Sequence, residues 1–177
     1  MTTRVYLGIG SNLNRDNSLR FAFEKVSSLL ENVEKSSIWI SKPVRKGEPD
    51  YFNMVVKGDT SLSLHDFHAR LLEIETAAGK EMMFNNGTNF GLKRRLDIDI
   101  LLFGDTVTTD PCQIPRHDVA DYPFVTFPLN ELTPDLVHPV LKKTVAQLLS
   151  ELEGKLDENT KVVKTQIDWN VKAPKWD

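Results

Sequence analysis

Two aspartates, Asp97 and Asp99, sit inside the run Arg94-Arg95-Leu96-Asp97-Ile98-Asp99-Ile100-Leu101-Leu102-Phe103-Gly104, which is otherwise apolar after its two arginines. Leu96, Ile98, Ile100 and Leu102 alternate with the acids, so a β-strand here sends the aliphatics to one face and both carboxylates to the other. Neighbours on one face lie about 6.5 Å apart at Cα, close enough for two carboxylates to converge on one or two hard cations of the kind that carry nucleotide phosphates. The same pattern also fits two acids on the wet face of a half-exposed antiparallel strand, neutralised by Arg94 and Arg95. Aspartate suits strand interiors poorly, which weighs towards function.

The elements that must position this pair follow from periodicity. Val5, Leu7 and Ile9 alternate through an opening strand that stops at Gly10-Ser11-Asn12, and a helix follows with Leu19, Phe23, Val26 and Leu30 on its apolar stripe. Val33 to Ile40 and Phe52 to Gly58 predict two more strands, joined by a long connection from Ser41 to Asp50. Ser63 and Asp66 have the spacing of a capping box, and Leu64, Phe67, Leu71, Ile74 and Ala78 repeat at helical spacing until Gly79. Lys80 to Lys93 reads as a polar loop around Asn85-Asn86-Gly87-Thr88-Asn89. The order βαββαβ belongs to the α+β, ferredoxin-like class, an antiparallel sheet with helices on one face and the other face available. Beyond Gly104 the sequence predicts a short strand or hairpin near Val107, a helix capped by Thr144 and Gln147, a last short strand around Val162 to Ile167, and a frayed end from Ala173. One domain over residues 1–177, with a C-terminal helix and strand extension, accounts for the chain.

Composition narrows the function class. A net charge of −3 argues against a nonspecific nucleic-acid binder, so an anionic substrate needs local basic groups. The start of the chain lacks the apolar segment of a secretory signal, and no stretch is long enough to span a membrane. Cys112 is the one cysteine, which excludes an intrachain disulfide framework and a cysteine zinc site. The expectation is a cytoplasmic monomer with small-molecule substrates and neither nucleic-acid nor membrane partners.

Five segments flank or include the acidic strand: Gly8-Ile9-Gly10-Ser11-Asn12-Leu13; Pro49-Asp50-Tyr51-Phe52-Asn53; Ile74-Glu75 ahead of Gly79-Lys80; Arg94-x-Leu96-Asp97-Ile98-Asp99; and Ile114-Pro115-Arg116-His117-Asp118 with Phe124-x-x-Phe127-Pro128-Leu129. In order and spacing, from about Val5 to about Pro139, the chain resembles the 6-hydroxymethyl-7,8-dihydropterin pyrophosphokinases of folate biosynthesis. The resemblance implies the ferredoxin-like fold and transfer of the β,γ-diphosphate of ATP to the pterin hydroxymethyl group with two magnesium ions. It implies Asp97 and Asp99 as metal ligands and as catalytic residues with Arg94, Lys80 and Arg116. It puts Glu75, Arg94, Ile100, Arg116 and His117 at the nucleotide, and Ser41, Pro43, Val44, Tyr51, Asn53 and Phe124 at the pterin. Gly8-x-Gly10-Ser11 does not make a phosphate loop, since it lacks a Walker lysine and any Rossmann context.

The chain departs from the family pattern at its basic groups. Lys80 stands where the family has arginine, Met82 where it has another, Arg116 where it has histidine, and Tyr122 where it has arginine. A lysine does not reproduce a bidentate guanidinium fork, whereas Arg116 can replace histidine as a phosphate donor and Lys42, Arg45, Lys46, Lys93 and Arg95 add charge nearby. Two alternatives stay open at this point: a paralogue acting on another pterin or diphosphate donor, and a ferredoxin-like binding module for RNA or a small regulator. Against the RNA version, Asp97 and Asp99 would repel a phosphate backbone in the absence of metal.

Overall fold

The computed structural model describes residues 1–43, 46–79, 82–85, 89–92 and 95–176, with backbone alone for 82–85 and 89–92. Its elements in chain order are β1 (Thr3–Leu13), α1 (Arg15–Ser27), β2 (Glu31–Lys35), β3 (Ile38–Ser41), β4 (Tyr51–Thr60), α2 (Leu64–Gly79), β5 (Met82–Asn85), β6 (Asn89–Leu92), β7 (Arg95–Phe103), α3 (Asp118–Asp121), α4 (Pro123–Leu132), α5 (Val145–Glu153) and β8 (Val163–Thr165). The main sheet runs β7-β1-β4-β3-β8, with β2 also on β4, and its paired strands are antiparallel. With α1 and α2 as the crossovers, this is the ferredoxin-like α+β arrangement that the sequence order predicts.

Alternation sorts the side chains between two faces. Leu7, Ile9, Met54, Val56, Ile98 and Ile100 face Leu19, Phe21 and Val26 of α1 and Phe67, Leu71 and Ile74 of α2, and all are buried. Each large apolar side chain fully buried in this layer stabilises the fold by roughly 1.5–3 kcal/mol. Ser63 Oγ accepts the Asp66 amide and starts α2, while Thr144 and Gln147 complete a capping box on α5.

The structure corrects several expectations. Val33 to Ile40 is two strands rather than one, because the pairing with β4 slips by one residue at Ser36-Ser37, where the Ser36 hydroxyl accepts the Val55 amide. The expected polar loop from Lys80 to Lys93 contains a two-stranded hairpin, β5 with β6, in which Met82 pairs with Leu92 and Asn85 with Asn89. The short strand or hairpin expected near Val107 is reduced to a single antiparallel bridge, Thr108–Ile114. The second sheet face is only partly available: α3, α4 and α5 cover one end of it, burying Tyr6, Val55, Leu101 and Leu102 against Val119, Val125, Leu129 and Leu148. Leu102 belongs to this second layer and not to the helix-facing one, because the β1–β7 register shifts between Tyr6 and Leu7 and the extra residue on β7 inverts the alternation. The C-terminal segment is docked, with Trp176 against Phe21 (ring centroids 4.9 Å apart) and Trp169 against Phe23 (5.5 Å).

Candidate active site

The register of three adjacent strands builds the floor of a cavity. Gly10 of β1 lies between Asp97 of β7 and Asn53 of β4, and Gly8 lies between Asp99 and Val55. Each row therefore has an acid at one end and a glycine at its centre. A Cβ on Gly10 would sit 3.2 Å from Asn53 Oδ1, and one on Gly8 would sit 3.2 Å from Leu101 Cδ2. Without those carbons the sheet is low beside both carboxylates, and a cavity of about 450 Å³ opens above it, walled by Ser41, Lys42, Glu48, Tyr51 and Phe124.

At the end of the floor away from the acids, Asn53 is buried and its amide Nδ2 donates to the Trp39 carbonyl (3.0 Å) and to Ser41 Oγ (2.8 Å). Both donors are thereby used, which leaves Oδ1, beside Gly10, as the acceptor available to a ligand. Phe124, in the first turn of α4, stacks on Tyr122 with ring centroids 5.2 Å apart and planes 14° off parallel. The Tyr51 ring lies under the Arg95 guanidinium, 5.8 Å from its centroid.

Charge dominates the other end. The lining carries the carboxylates Glu48, Glu75, Asp97, Asp99 and Asp118 against the cations Lys42, Arg95 and Arg116. Arg95 Nε lies 3.6 Å from Asp97, and Arg116 Nε lies 3.6 Å from Asp99 and 3.2 Å from Asp118. The Arg116 backbone N–H donates to the carbonyl of Leu101, which anchors this arginine over β7. Burial pushes the Asp99 carboxyl above the usual carboxylate range, Arg116 opposes that shift, and Asp118 and Asp97 add to it. Burial works against the charge on Arg116, but Asp99 and Asp118 more than offset it, so its pKa is raised. Glu75 reaches from α2 to accept the Ile98 amide at 3.0 Å, between the two aspartates. Burial pushes Glu75 up to about 7 despite that hydrogen bond, and Asp97 and Asp99 push it the same way.

Among the described residues no group of three or more His, Cys, Asp or Glu has the arrangement of a protein-only metal cage. The donor set instead suits magnesium, which takes one or two carboxylates and completes its shell with phosphate and water oxygens. Asp97 and Asp99 are 46% and 37% exposed at the side chain, so both can turn to an incoming ion.

Comparison with known proteins decides the family. The family model described as 7,8-dihydro-6-hydroxymethylpterin-pyrophosphokinase (HPPK) matches residues 6–134. The chain belongs to this family. Among curated HPPK relatives, the 2-amino-4-hydroxy-6-hydroxymethyldihydropteridine pyrophosphokinase of Haemophilus influenzae is 36% identical over 153 residues, covering 84% of this chain and 89% of that protein. The protein of the same name from Aquifex aeolicus is 31% identical over 150 residues, covering 83% and 91%. Among solved structures, a Plasmodium falciparum HPPK-DHPS triple mutant matches the fold with a TM-score of 0.72 at 14% identity, over 93% of this chain and 48% of that one. The chain spans about half the length of that HPPK-DHPS structure.

Of the residues expected from HPPK resemblance, Asp97, Asp99, Glu75, Arg116, Ser41, Tyr51, Asn53 and Phe124 all line the one cavity. Others do not join them. Ile100 is 4% exposed in the helix-facing core, on the side of β7 away from the acids, so its side chain is not in the cavity wall. His117 is exposed at the start of α3, and neither it nor Pro43 is part of the lining. Lys80, Val44 and Arg94 lie outside the described residues. Contributors that the sequence reading did not assign include Gly8 and Gly10 as the gap opposite the acids, Glu48 in the wall, and Asp118 as the partner of Arg116. The glycine signal was present, since Gly8-x-Gly10 repeats the two-residue period of Asp97-x-Asp99. Asp118 stood in the quoted Ile114–Asp118 segment, two residues from Arg116, but without an assigned role.

Proposed function

We propose that this chain transfers the β,γ-diphosphate of ATP to the hydroxymethyl group of 6-hydroxymethyl-7,8-dihydropterin, giving AMP and the pterin diphosphate. Family membership supports the reaction. The observation that carries the residue assignment is the pair of strand rows, which set Asp97 one glycine away from Asn53 and Asp99 in the next row beside it, on the floor of a single cavity.

The pterin ring lies at the Asn53 end, between the aromatic walls of Phe124 and Tyr51, with Asn53 Oδ1 accepting one of its N–H groups. ATP lies at the acidic end. A triphosphate is repelled by the carboxylate excess there, so its entry requires cations, and Asp97 and Asp99 are the residues that would hold magnesium. Bound there, magnesium supplies neutralisation of phosphate charge and polarisation of the transferring group. Arg116 and Arg95 supply fixed positive charge next to the same oxygens. The hydroxymethyl oxygen bonds to the β-phosphorus, the bond from that phosphorus to the α,β-bridging oxygen breaks, AMP leaves with that oxygen, and the hydroxyl proton is released. No side-chain nucleophile is involved, and the catalytic effect is placement plus charge compensation.

We further place it as a single-domain monomer of the cytoplasm. In support of one domain, all the described strands except the β5–β6 pair join a single six-stranded sheet. Incubation with ATP, magnesium and the pterin, followed by separation of nucleotides, tests the activity: AMP should appear only when the pterin is present, and its absence would refute the proposal.

A further inference from the structure

We propose that Glu131, which does not line the cavity, is a positioning residue for the pterin half of the site, acting through a clamp on Trp39 that α4 and β8 share. This rests on the pterin reading above.

The two groups that would hold the pterin come from opposite layers. Phe124 stands on α4 and Asn53 on β4, so the slot between them is set by how α4 is pinned to the sheet. Phe124, Phe127 and Glu131 are spaced i, i+3 and i+7, which puts them on one stripe of the helix two turns long. At the far end of that stripe Glu131 Oε1 accepts the Trp39 indole N–H at 2.6 Å, and Oε2 accepts the Ser37 hydroxyl at 2.7 Å. Phe127 meets the Trp39 ring edge-on, with centroids 5.3 Å apart. Lys164 of β8 adds a third side: its Nζ is 5.3 Å from the Trp39 ring centre and 3.9 Å from Glu131.

Trp39 is 9% exposed, and it is more than a hydrophobic contact. Its backbone carbonyl is one of the two acceptors that orient the Asn53 amide. The same residue is thus held through its side chain by the helix that carries Phe124 and holds, through its main chain, the amide that faces Phe124. A buried indole N–H with a carboxylate acceptor is a strong, directional tie, so α4 has one seating rather than a range. Among the described residues no comparable tie from Glu131 or Trp39 reaches the acids: Asp97 and Asp99 are on β7, separated from β3 by the two strands β1 and β4. Loosening the clamp should therefore affect the pterin and spare ATP. It also gives the C-terminal extension a role at the site, since β8 brings Lys164 to the clamp.

The test compares Glu131→Ala, Glu131→Gln and Trp39→Phe for pterin affinity by calorimetry and for both KM values. Glu131→Ala should weaken pterin binding and raise the pterin KM on the order of tenfold, with the ATP KM and kcat within about twofold. Glu131→Gln keeps an acceptor for the indole and should stay within about threefold of the parent. Trp39→Phe keeps a ring in place but removes the N–H, so it should repeat the Ala effect, and the double variant should add little to either single one. If Glu131→Ala fails to fold, Trp39→Phe carries the test. An unchanged pterin affinity in the folded variants, or an equal rise in both KM values, would overturn the clamp. Because pterin binding is read without turnover, an inactive parent protein refutes the pyrophosphokinase reading and a pterin affinity indifferent to Glu131 and Trp39 refutes the clamp.

Discussion

Gly10→Ala probes the floor of the cavity with a single methyl group. The added Cβ would lie 3.2 Å from Asn53 Oδ1, 3.7 Å from Tyr51 Cδ1 and 3.8 Å from the Phe52 carbonyl oxygen. Backbone strain does not enter, since Gly10 is not among the glycines with positive φ. In the unliganded strand, alanine for glycine reduces the entropy lost on folding, worth roughly 0.5–1 kcal/mol, which offsets the close contact. The penalty falls on the complex, where the methyl occupies ligand space and Asn53 must shift by a few tenths of an ångström while bonded at 3.0 and 2.8 Å. Overpacking of this kind costs about 1–3 kcal/mol, which corresponds to about a 5- to 150-fold fall in kcat/KM for the pterin. Steady-state kinetics with varied pterin, beside a thermal melt, provides the assay. Gly8→Ala serves as the internal comparison, because its methyl meets Leu101 Cδ2, the movable end of a side chain, and its effect should stay below about fivefold. A Gly10→Ala protein that melts like the parent and keeps kcat/KM within twofold would refute the assignment of this floor.

Asp97→Asn and Asp99→Asn should each lower kcat by at least about a hundredfold and abolish magnesium-dependent ATP binding in calorimetry, whereas unaltered nucleotide binding would exclude them as the metal ligands. Glu75, held at about 7 chiefly by burial, binds its proton more tightly folded than unfolded. Stability of the metal-free protein should therefore fall as pH rises from about 4.5 to about 7, and the fall should be shallower in Glu75→Gln; equal slopes in a pH series of melts would contradict this. Phe124→Ala removes one aromatic wall and should weaken pterin binding by about 1–3 kcal/mol without changing the ATP KM. Trp176→Ala strips the ring that packs on Phe21 and should lower the melting temperature by several degrees while leaving kcat unchanged.

Much of the fold could be read from local pattern. The alternation of Leu96, Ile98 and Ile100 put both aspartates on one face, and helical spacing in α1 and α2 supplied the crossovers of the ferredoxin-like order. What escaped was set by pairing and not by composition. The slip at Ser36-Ser37 and the extra residue at the end of β7 are register events, invisible until the partner strand is known. Helix α4 was not predicted, and it carries two prolines, Pro123 and Pro128. Pro123 is tolerated at the first turn, and Pro128 is accepted because burial of Val125 and Leu129 on the sheet outweighs the hydrogen bond it removes. The docking of Trp169 and Trp176 depends on Phe23 and Phe21, at the opposite end of the chain. At the site, the acids stood out through their spacing and Asn53 through the family resemblance, while Glu131 did neither, since its partner Trp39 becomes a neighbour only through the packing of α4 on the sheet.

Diphosphoryl transfer at the Asp97–Asp99 pair is reported directly by the nucleotide product. With ATP, magnesium and 6-hydroxymethyl-7,8-dihydropterin, the parent protein should form AMP and pterin diphosphate in equal amounts, and the Asp97→Asn/Asp99→Asn double variant should form neither. Formation of ADP with a pterin monophosphate, or AMP formation that persists in the double variant, would contradict diphosphoryl transfer at this pair.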